Sequence, residues 1–96
     1  MVKSSKDYKK DLLKRLKDPE YAAEYINAAI EEGDKAVILL ALKDVCEARG
    51  MSNVAKKAKL NRENMYRVLS EKGNPQFTTL IALLDCSGLK LAVATK

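Results

Sequence analysis

The sequence contains no histidine, which removes the commonest general base of enzymes. Other catalytic patterns are missing as well: there is no glycine-rich phosphate loop, no serine-centred motif and no cluster of carboxylates with an obvious site. We therefore expect a protein that acts by binding and is not an enzyme.

Cysteine is also scarce. The two cysteines, Cys46 and Cys86, are forty positions apart. A zinc site requires closely spaced cysteine and histidine ligands, so the sequence predicts no metal and gives no reason to expect a cofactor. Each cysteine is expected to be a free thiol that packs as a small hydrophobe.

Long apolar runs are absent. The longest covers residues 36–42, about two helical turns, whereas a membrane span requires about 20 apolar residues. The N-terminal lysines are not followed by the apolar segment of a secretion signal. The sequence therefore predicts a cytoplasmic protein without membrane contact, and 96 residues suit one domain with a small core.

What the chain does have is segregated charge. Residues 1–17 carry seven basic and two acidic side chains, residues 18–51 carry three and eight, and residues 52–73 carry six and two. Such segregation favours one basic face and one acidic face, as in a protein that binds a polyanion and a second partner. Two ordinary solvated helix faces are the alternative.

Apolar spacing near 3.6 residues predicts an all-α fold, a compact bundle of about six helices. The expected single domain spans 1–96, with 1–6 flexible and N-terminal helices in 7–33. A helix-turn-helix core is expected in 34–88 and a short C-terminal β-strand in 89–96.

Capping residues mark where these helices begin. Side chains that accept hydrogen bonds from a helix N-terminus are predicted to do so at Asp18, Asp34, Ser52 and Asn61. Gly33 is expected to end the second helix in the left-handed conformation.

The predicted strand rests on alternation at the C-terminus. Leu89, Leu91 and Val93 would lie on one side of an extended chain. A lone strand requires a partner, and no second strand is evident, so pairing with the same strand of another copy would give a homodimer.

Residues 51–72 are predicted to lie on DNA as a helix-turn-helix. Within this segment the positions that must face inward are all apolar: Val54, Ala55, Ala58, Leu60, Met65 and Val68. Lys59 occupies the turn position that is usually glycine because it commonly takes positive φ, a strain of about 1 kcal/mol for another residue.

The second helix of the motif would enter the major groove of double-stranded DNA. Arg62 can donate a bidentate pair to guanine, and Arg67 can reach another base or a phosphate. Tyr66 is left open between contact with the DNA backbone and packing. The predicted base-contacting residues are Asn61, Arg62, Glu63, Asn64 and Arg67.

Other polar residues of the motif suit phosphate contacts, which position a protein without specifying sequence. A solvated helix face is the alternative for each of these side chains and for each of the predicted base-contacting ones. The predicted phosphate-binding residues are Ser52, Asn53, Lys56, Lys59 and Lys72.

Four stretches in and around this segment form a recognisable pattern: 41–51 (ALKDVCEARGM), 54–66 (VAKKAKLNRENMY), 73–79 (GNPQFTT) and 88–91 (GLKL). On these stretches the chain resembles the probable addiction-module antidote proteins, HigA-like antitoxins whose helix-turn-helix is of the lambda-repressor type. The likeness extends over 18–93.

This resemblance implies an antitoxin that neutralises a RelE-like toxin encoded beside it and represses their shared promoter as a dimer. The sequence differs from the family at Lys59, which replaces the turn glycine, and at Asp85-Cys86-Ser87, three positions at which family members tend to be more apolar. Two alternatives remain: a plain helix-turn-helix transcriptional regulator without a toxin, and a protein-interaction module in which the acidic stretch 20–47 docks a basic partner.

Overall fold

A computed structural model of the chain describes residues 4–96 and shows six α-helices in that range, as the helical spacing predicts. No helix of this range is long and apolar enough to cross a membrane. The helices are α1 (Ser5–Arg15), α2 (Pro19–Glu32), α3 (Lys35–Arg49), α4 (Met51–Lys57), α5 (Arg62–Val68) and α6 (Phe77–Cys86).

The first helix begins earlier than expected. Ser4 caps α1 with a capping box, in which its hydroxyl accepts from the Asp7 amide while the Asp7 carboxylate accepts from the Ser4 amide. Helical structure therefore reaches Ser5, inside the segment 1–6 predicted to be flexible. The remaining part of that prediction, residues 1–3, lies outside the described residues.

Local capping chemistry determines most of the other helix starts. The carboxylates of Asp18 and Asp34 accept from backbone amides of α2 and α3 at 3.1 and 2.9 Å, as predicted. Gly33 ends α2 with φ +77°. The predicted cap at Ser52 is wrong, because Gly50, with φ +96°, ends α3 and begins α4 in a single residue. The helix thus starts one position before Ser52.

Helix α3 occupies the centre of the bundle and packs against α1, α2 and α4. It contributes six of the buried residues, more than any other helix. The largest fully buried apolar side chains come from around it: Leu16, Val45, Val54, Met65, Leu69 and Leu83.

A buried carboxylate ties the N-terminal helices to this centre. Asp44 of α3 accepts from the Lys9 ammonium at 2.7 Å and from the Tyr25 hydroxyl at 2.8 Å. Burial and the Asp44 carboxylate both raise the pKa of Tyr25. Burial lowers the pKa of Lys9, but the hydrogen bond and charge of Asp44, with Glu47 beside it, outweigh this and raise it.

The predicted C-terminal β-strand is wrong: residues 4–96 contain no strand. The Leu89 amide instead donates to the Leu84 carbonyl at 2.8 Å and closes the end of α6, with Gly88 at φ +82°. Leu91 and Val93 follow in an irregular, exposed tail. Alternation alone does not make a strand, because no neighbouring strand is there to complete its hydrogen bonds.

Candidate nucleic-acid interface

Helices α4 and α5 are joined by a tight turn at Lys59. Its φ of +60° is the one positive value at a non-glycine residue within 4–96, which confirms the conformation predicted for this position. The turn is closed by two backbone bonds, from the Lys59 amide to the Lys56 carbonyl at 3.2 Å and from the Leu60 amide to the Ala55 carbonyl at 2.8 Å. The side chain of Lys59 is exposed.

The apolar residues predicted to face inward are buried or half-buried. Val54, Ala55 and Met65 are buried, while Ala58, Leu60 and Val68 are half-buried.

One buried anchor was missed by the sequence analysis. Leu69, directly after α5, is fully buried and lies one helical turn from Met65, a spacing that could have revealed it.

The chain then passes very close to α5. A Cβ added at Gly73 would lie 2.2 Å from the Val68 carbonyl oxygen, so only glycine fits where the chain turns away from the helix. The Gly73 amide also donates to the Ser70 carbonyl at 2.8 Å, so the chain around Lys72 and Gly73 stays close to the end of α5.

Asn61 caps α5 and fixes its first turn. Its side-chain oxygen accepts from the Asn64 amide at 2.7 Å, as predicted for a cap. The amide group of Asn61 is left free to donate. Asn64 in turn accepts from the Arg67 guanidinium at 3.0 Å, which ties two of the predicted base-contacting side chains to each other. These two remain at the surface, with Arg67 exposed and Asn64 half-buried.

Tyr66 organises the rest of the exposed α5 face. The Arg62 guanidinium lies 5.5 Å from the centre of its ring, and the Lys43 ammonium of α3 lies 5.7 Å from the same point. The basic surface therefore continues from α5 onto α3. Lys43 was missed by the sequence analysis, since nothing local to it indicates this tertiary contact.

The predicted phosphate-binding side chains lie on α4, in the turn that follows it and in the segment after α5. All five are exposed, and none makes a side-chain hydrogen bond or ion pair within residues 4–96. They are therefore free to contact a ligand: Ser52, Asn53, Lys56, Lys59 and Lys72.

Comparison with known proteins shows which family the chain belongs to. Residues 7–95 match the family described as probable addiction module antidote protein. The chain belongs to this family. A protein of Haemophilus influenzae, described as uncharacterized, is similar to this antidote, with 34% identity over 93 residues that cover 97% of this chain and 94% of that protein. No solved structure gives a significant match.

An antidote protein has a toxin as its partner. The structure also has a second surface, on α2, whose charge is opposite to that of the basic surface. Helix α2 carries acidic side chains and no lysine or arginine. All of its carboxylates are exposed: Glu20, Glu24, Glu31 and Glu32.

The antidote's cysteines form no disulfide: Cys46 is buried and Cys86 is half-buried. Burial raises the pKa of Cys46 to about 11, although a contact with the Ser87 hydroxyl at 3.8 Å opposes the shift. The Cys46 thiol is therefore protonated at neutral pH. Within the described part of the chain, no cluster of His, Cys, Asp and Glu is placed to hold a metal ion.

Proposed function

We propose that this antidote is the DNA-binding antitoxin of a type II toxin–antitoxin module, which neutralises a RelE-like toxin and represses its own operon. The observation that carries the proposal is the α4–α5 unit. Its apolar anchors are buried or half-buried, while its cationic side chains are exposed and Lys56, Lys59 and Lys72 have no ion-pair partner within residues 4–96. Unneutralised cations on such a motif suit a polyanion such as DNA.

In this proposal α5 enters the major groove and its N-terminal turn faces the base edges. Arg62 and Glu63 are exposed and free to make base hydrogen bonds, and the free amide of Asn61 can donate. The hydrogen bond that Arg67 donates to Asn64 would hold both side chains in position for contacts farther along the groove.

Repression requires two copies on a two-fold operator, since helix-turn-helix dimers bind half-sites about 34 Å apart or a multiple of this. We propose that the exposed apolar face of α6 supplies the contact between copies. Phe77 and Ile81, one helical turn apart, are 64% and 40% exposed. No charged side chain lies between them along α6, and the exposed Asp85 follows one turn after Ile81, at the edge of this apolar face.

The proposed activity is binding in the cytoplasm, without catalysis. A reporter assay tests repression: the antidote should lower expression from the promoter of its own operon and leave an unrelated promoter unchanged. If both promoters respond alike, operator-specific repression is wrong.

A plain transcriptional regulator without a toxin partner is the second candidate. The α4–α5 unit supports it, but membership of an antidote family favours a protein that has a toxin partner. Co-expression separates the two. The product of the adjoining gene should stop growth when expressed alone, and the antidote should restore it. If that product does not stop growth, the proposal of a RelE-like toxin as partner is wrong.

A further inference from the structure

The acidic side chains at the C-terminal end of α2 destabilise the helix that carries them. Glu31 and Glu32 occupy the last turn, where the helix dipole is negative and a cation would be favourable. No lysine or arginine of α2 offsets them, and neither makes an ion pair within residues 4–96. A local arrangement that weakens a helix without an internal compensation is typical of a functional surface.

Beside these carboxylates the side chain of Leu40 forms an exposed apolar ridge, called here the Leu40 ridge. Leu40 of α3 is 52% exposed, which is unusual in a helix that forms the centre of the bundle. A shallow groove runs along each side of it. One lies between α2 and α3 and includes Tyr25 and Glu32; the other lies between α3 and the end of α5 and includes Leu69. Val37 borders both grooves together with Leu40.

The ridge and the carboxylates form one surface, since Glu32 lines the same groove as Leu40. Glu24 and Glu31 fall on the adjoining stripe of α2, because residues three and four apart share a helix face with Ala28 of the groove.

We propose that this surface, the Leu40 ridge with Glu24, Glu31 and Glu32, binds a basic amphipathic segment of the toxin. The inference rests on the proposed function, which supplies the toxin. An apolar side chain set between two grooves offers packing, and a rim of carboxylates offers charge complementarity that steers a cationic partner.

The charge of this surface argues against other occupants. A second copy would place the carboxylates of one α2 against those of another, which like-charge repulsion disfavours. DNA is disfavoured by the carboxylates along the α2–α3 groove, whereas Lys43 lines the groove on the other side of Leu40. A basic protein segment is the ligand that satisfies both the apolar ridge and its acidic rim.

The test uses the full-length antidote and the purified product of the adjoining gene in titration calorimetry. Leu40→Arg should weaken binding by about tenfold or more, since it removes the apolar ridge and repels a cationic partner. Ile30→Arg is the matched control: Ile30 is also exposed but lies on the opposite side of α2 from the groove. It should bind within about twofold of the unmodified chain.

A second variant separates binding from folding. Glu31→Gln/Glu32→Gln removes two unfavourable charges from the end of α2, so its Tm should stay the same or rise while toxin binding weakens about tenfold. Asp85→Asn, an exposed acid on α6, is the control that should leave binding unchanged. Affinity for the promoter DNA should be unaltered in Ile30→Arg and in the double glutamine variant, because neither change lies on α5, beside Lys43 or on α6.

Each outcome is decisive. If the unmodified antidote does not bind the gene product, the toxin assignment itself is wrong, and the ridge inference with it. If the unmodified chain binds but Leu40→Arg and the double glutamine variant bind equally well, the ridge is not the toxin surface. If Leu40→Arg instead changes the oligomeric state in sedimentation, the ridge is a contact between copies and the inference is overturned.

Discussion

At the scale of single residues, the surface chemistry of α5 divides between structure and recognition. Asn61 contributes its oxygen to the helix cap and keeps its amide group, whereas Arg62 makes no hydrogen bond within residues 4–96 and rests near the Tyr66 ring. A guanidinium held near an aromatic ring loses less freedom when it binds than a fully mobile one. Arg62 is therefore the best placed of these residues for a bidentate base contact.

Arg62→Ala should reduce affinity for the operator by about 1–3 kcal/mol and relax specificity at one base pair. Lys56→Ala is the control for a phosphate contact: it should weaken binding to all sequences alike and lower the slope of log affinity against log salt by about one. Fluorescence anisotropy on operator variants measures both. If Arg62→Ala lowers the affinity for all DNA sequences alike, the proposed base contact of Arg62 is wrong.

The turn residue Lys59 carries backbone strain. At φ +60° a residue with a Cβ pays a steric cost that glycine avoids. Lys59→Gly should raise the free energy of unfolding by about 0.5–1 kcal/mol in urea titrations, although it removes a cation from the proposed phosphate contacts. Lys56→Gly, placed inside α4, should lower stability by about 1 kcal/mol instead. Equal changes in the free energy of unfolding for the two variants would contradict backbone strain at Lys59.

At the scale of elements, tertiary contacts explain what local patterns could not. The caps at Asp18, Asp34 and Asn61 depend only on neighbours in sequence, so spacing was enough to predict them. The absence of a strand at the C-terminus, by contrast, depends on whether a second strand exists elsewhere.

The candidate site shows the same division. The exposed side chains of α4 and α5 follow from helical period, and so does most of the motif's buried side. The contact of Lys43 with Tyr66 does not, because it joins two helices more than twenty positions apart. The acidic composition of α2 was visible in the sequence, but its position beside the exposed Leu40 required the packing of α2 on α3.

Alkaline pH should loosen the packing of the first three helices. The pKa values of Lys9 and Tyr25 are raised above 10.5 and 10.0, and that of Cys46 is raised from 9.0 to about 11. In each case the folded protein holds a proton that the unfolded chain releases first. The stabilisation is therefore complete below pH 9 and is lost as pH rises through the folded values.

Urea titrations should show the free energy of unfolding constant from pH 7 to pH 8.5 and falling beyond about pH 9. Cys46→Ala should delay the fall, because the earliest of the three titrations is removed. A stability that rises between pH 9 and 11 would contradict the pKa directions.

Association of two copies through α6 is a further prediction at this scale. Phe77→Glu should convert the proposed dimer to a monomer, because a charge replaces an exposed apolar anchor. The helix itself should tolerate the change, since an acid in the first turn is favoured by the dipole. Tyr8→Glu on α1 is the matched control, at 63% exposure against 64% for Phe77. Sedimentation velocity decides: if Phe77→Glu remains dimeric, the copies meet elsewhere.

At the scale of the whole molecule, the charge segregation of the sequence corresponds to two separate surfaces on one bundle. The basic surface spans α4 and α5 and reaches α3 through Lys43, while the acidic surface belongs to α2. Leu40 lies one turn from Lys43 on the same helix, so the two surfaces adjoin along α3. In the proposed function, these neighbouring but chemically opposite faces would contact DNA and the toxin respectively.

The most direct measurement is the ratio of affinities for the antidote's own promoter fragment and for a scrambled fragment of equal length at about 0.15 M salt. We expect the promoter to bind about a thousandfold tighter or more, with the advantage reduced by Arg62→Ala and largely kept by Lys56→Ala. Equal affinity for the two fragments would contradict sequence-specific binding by the α4–α5 unit.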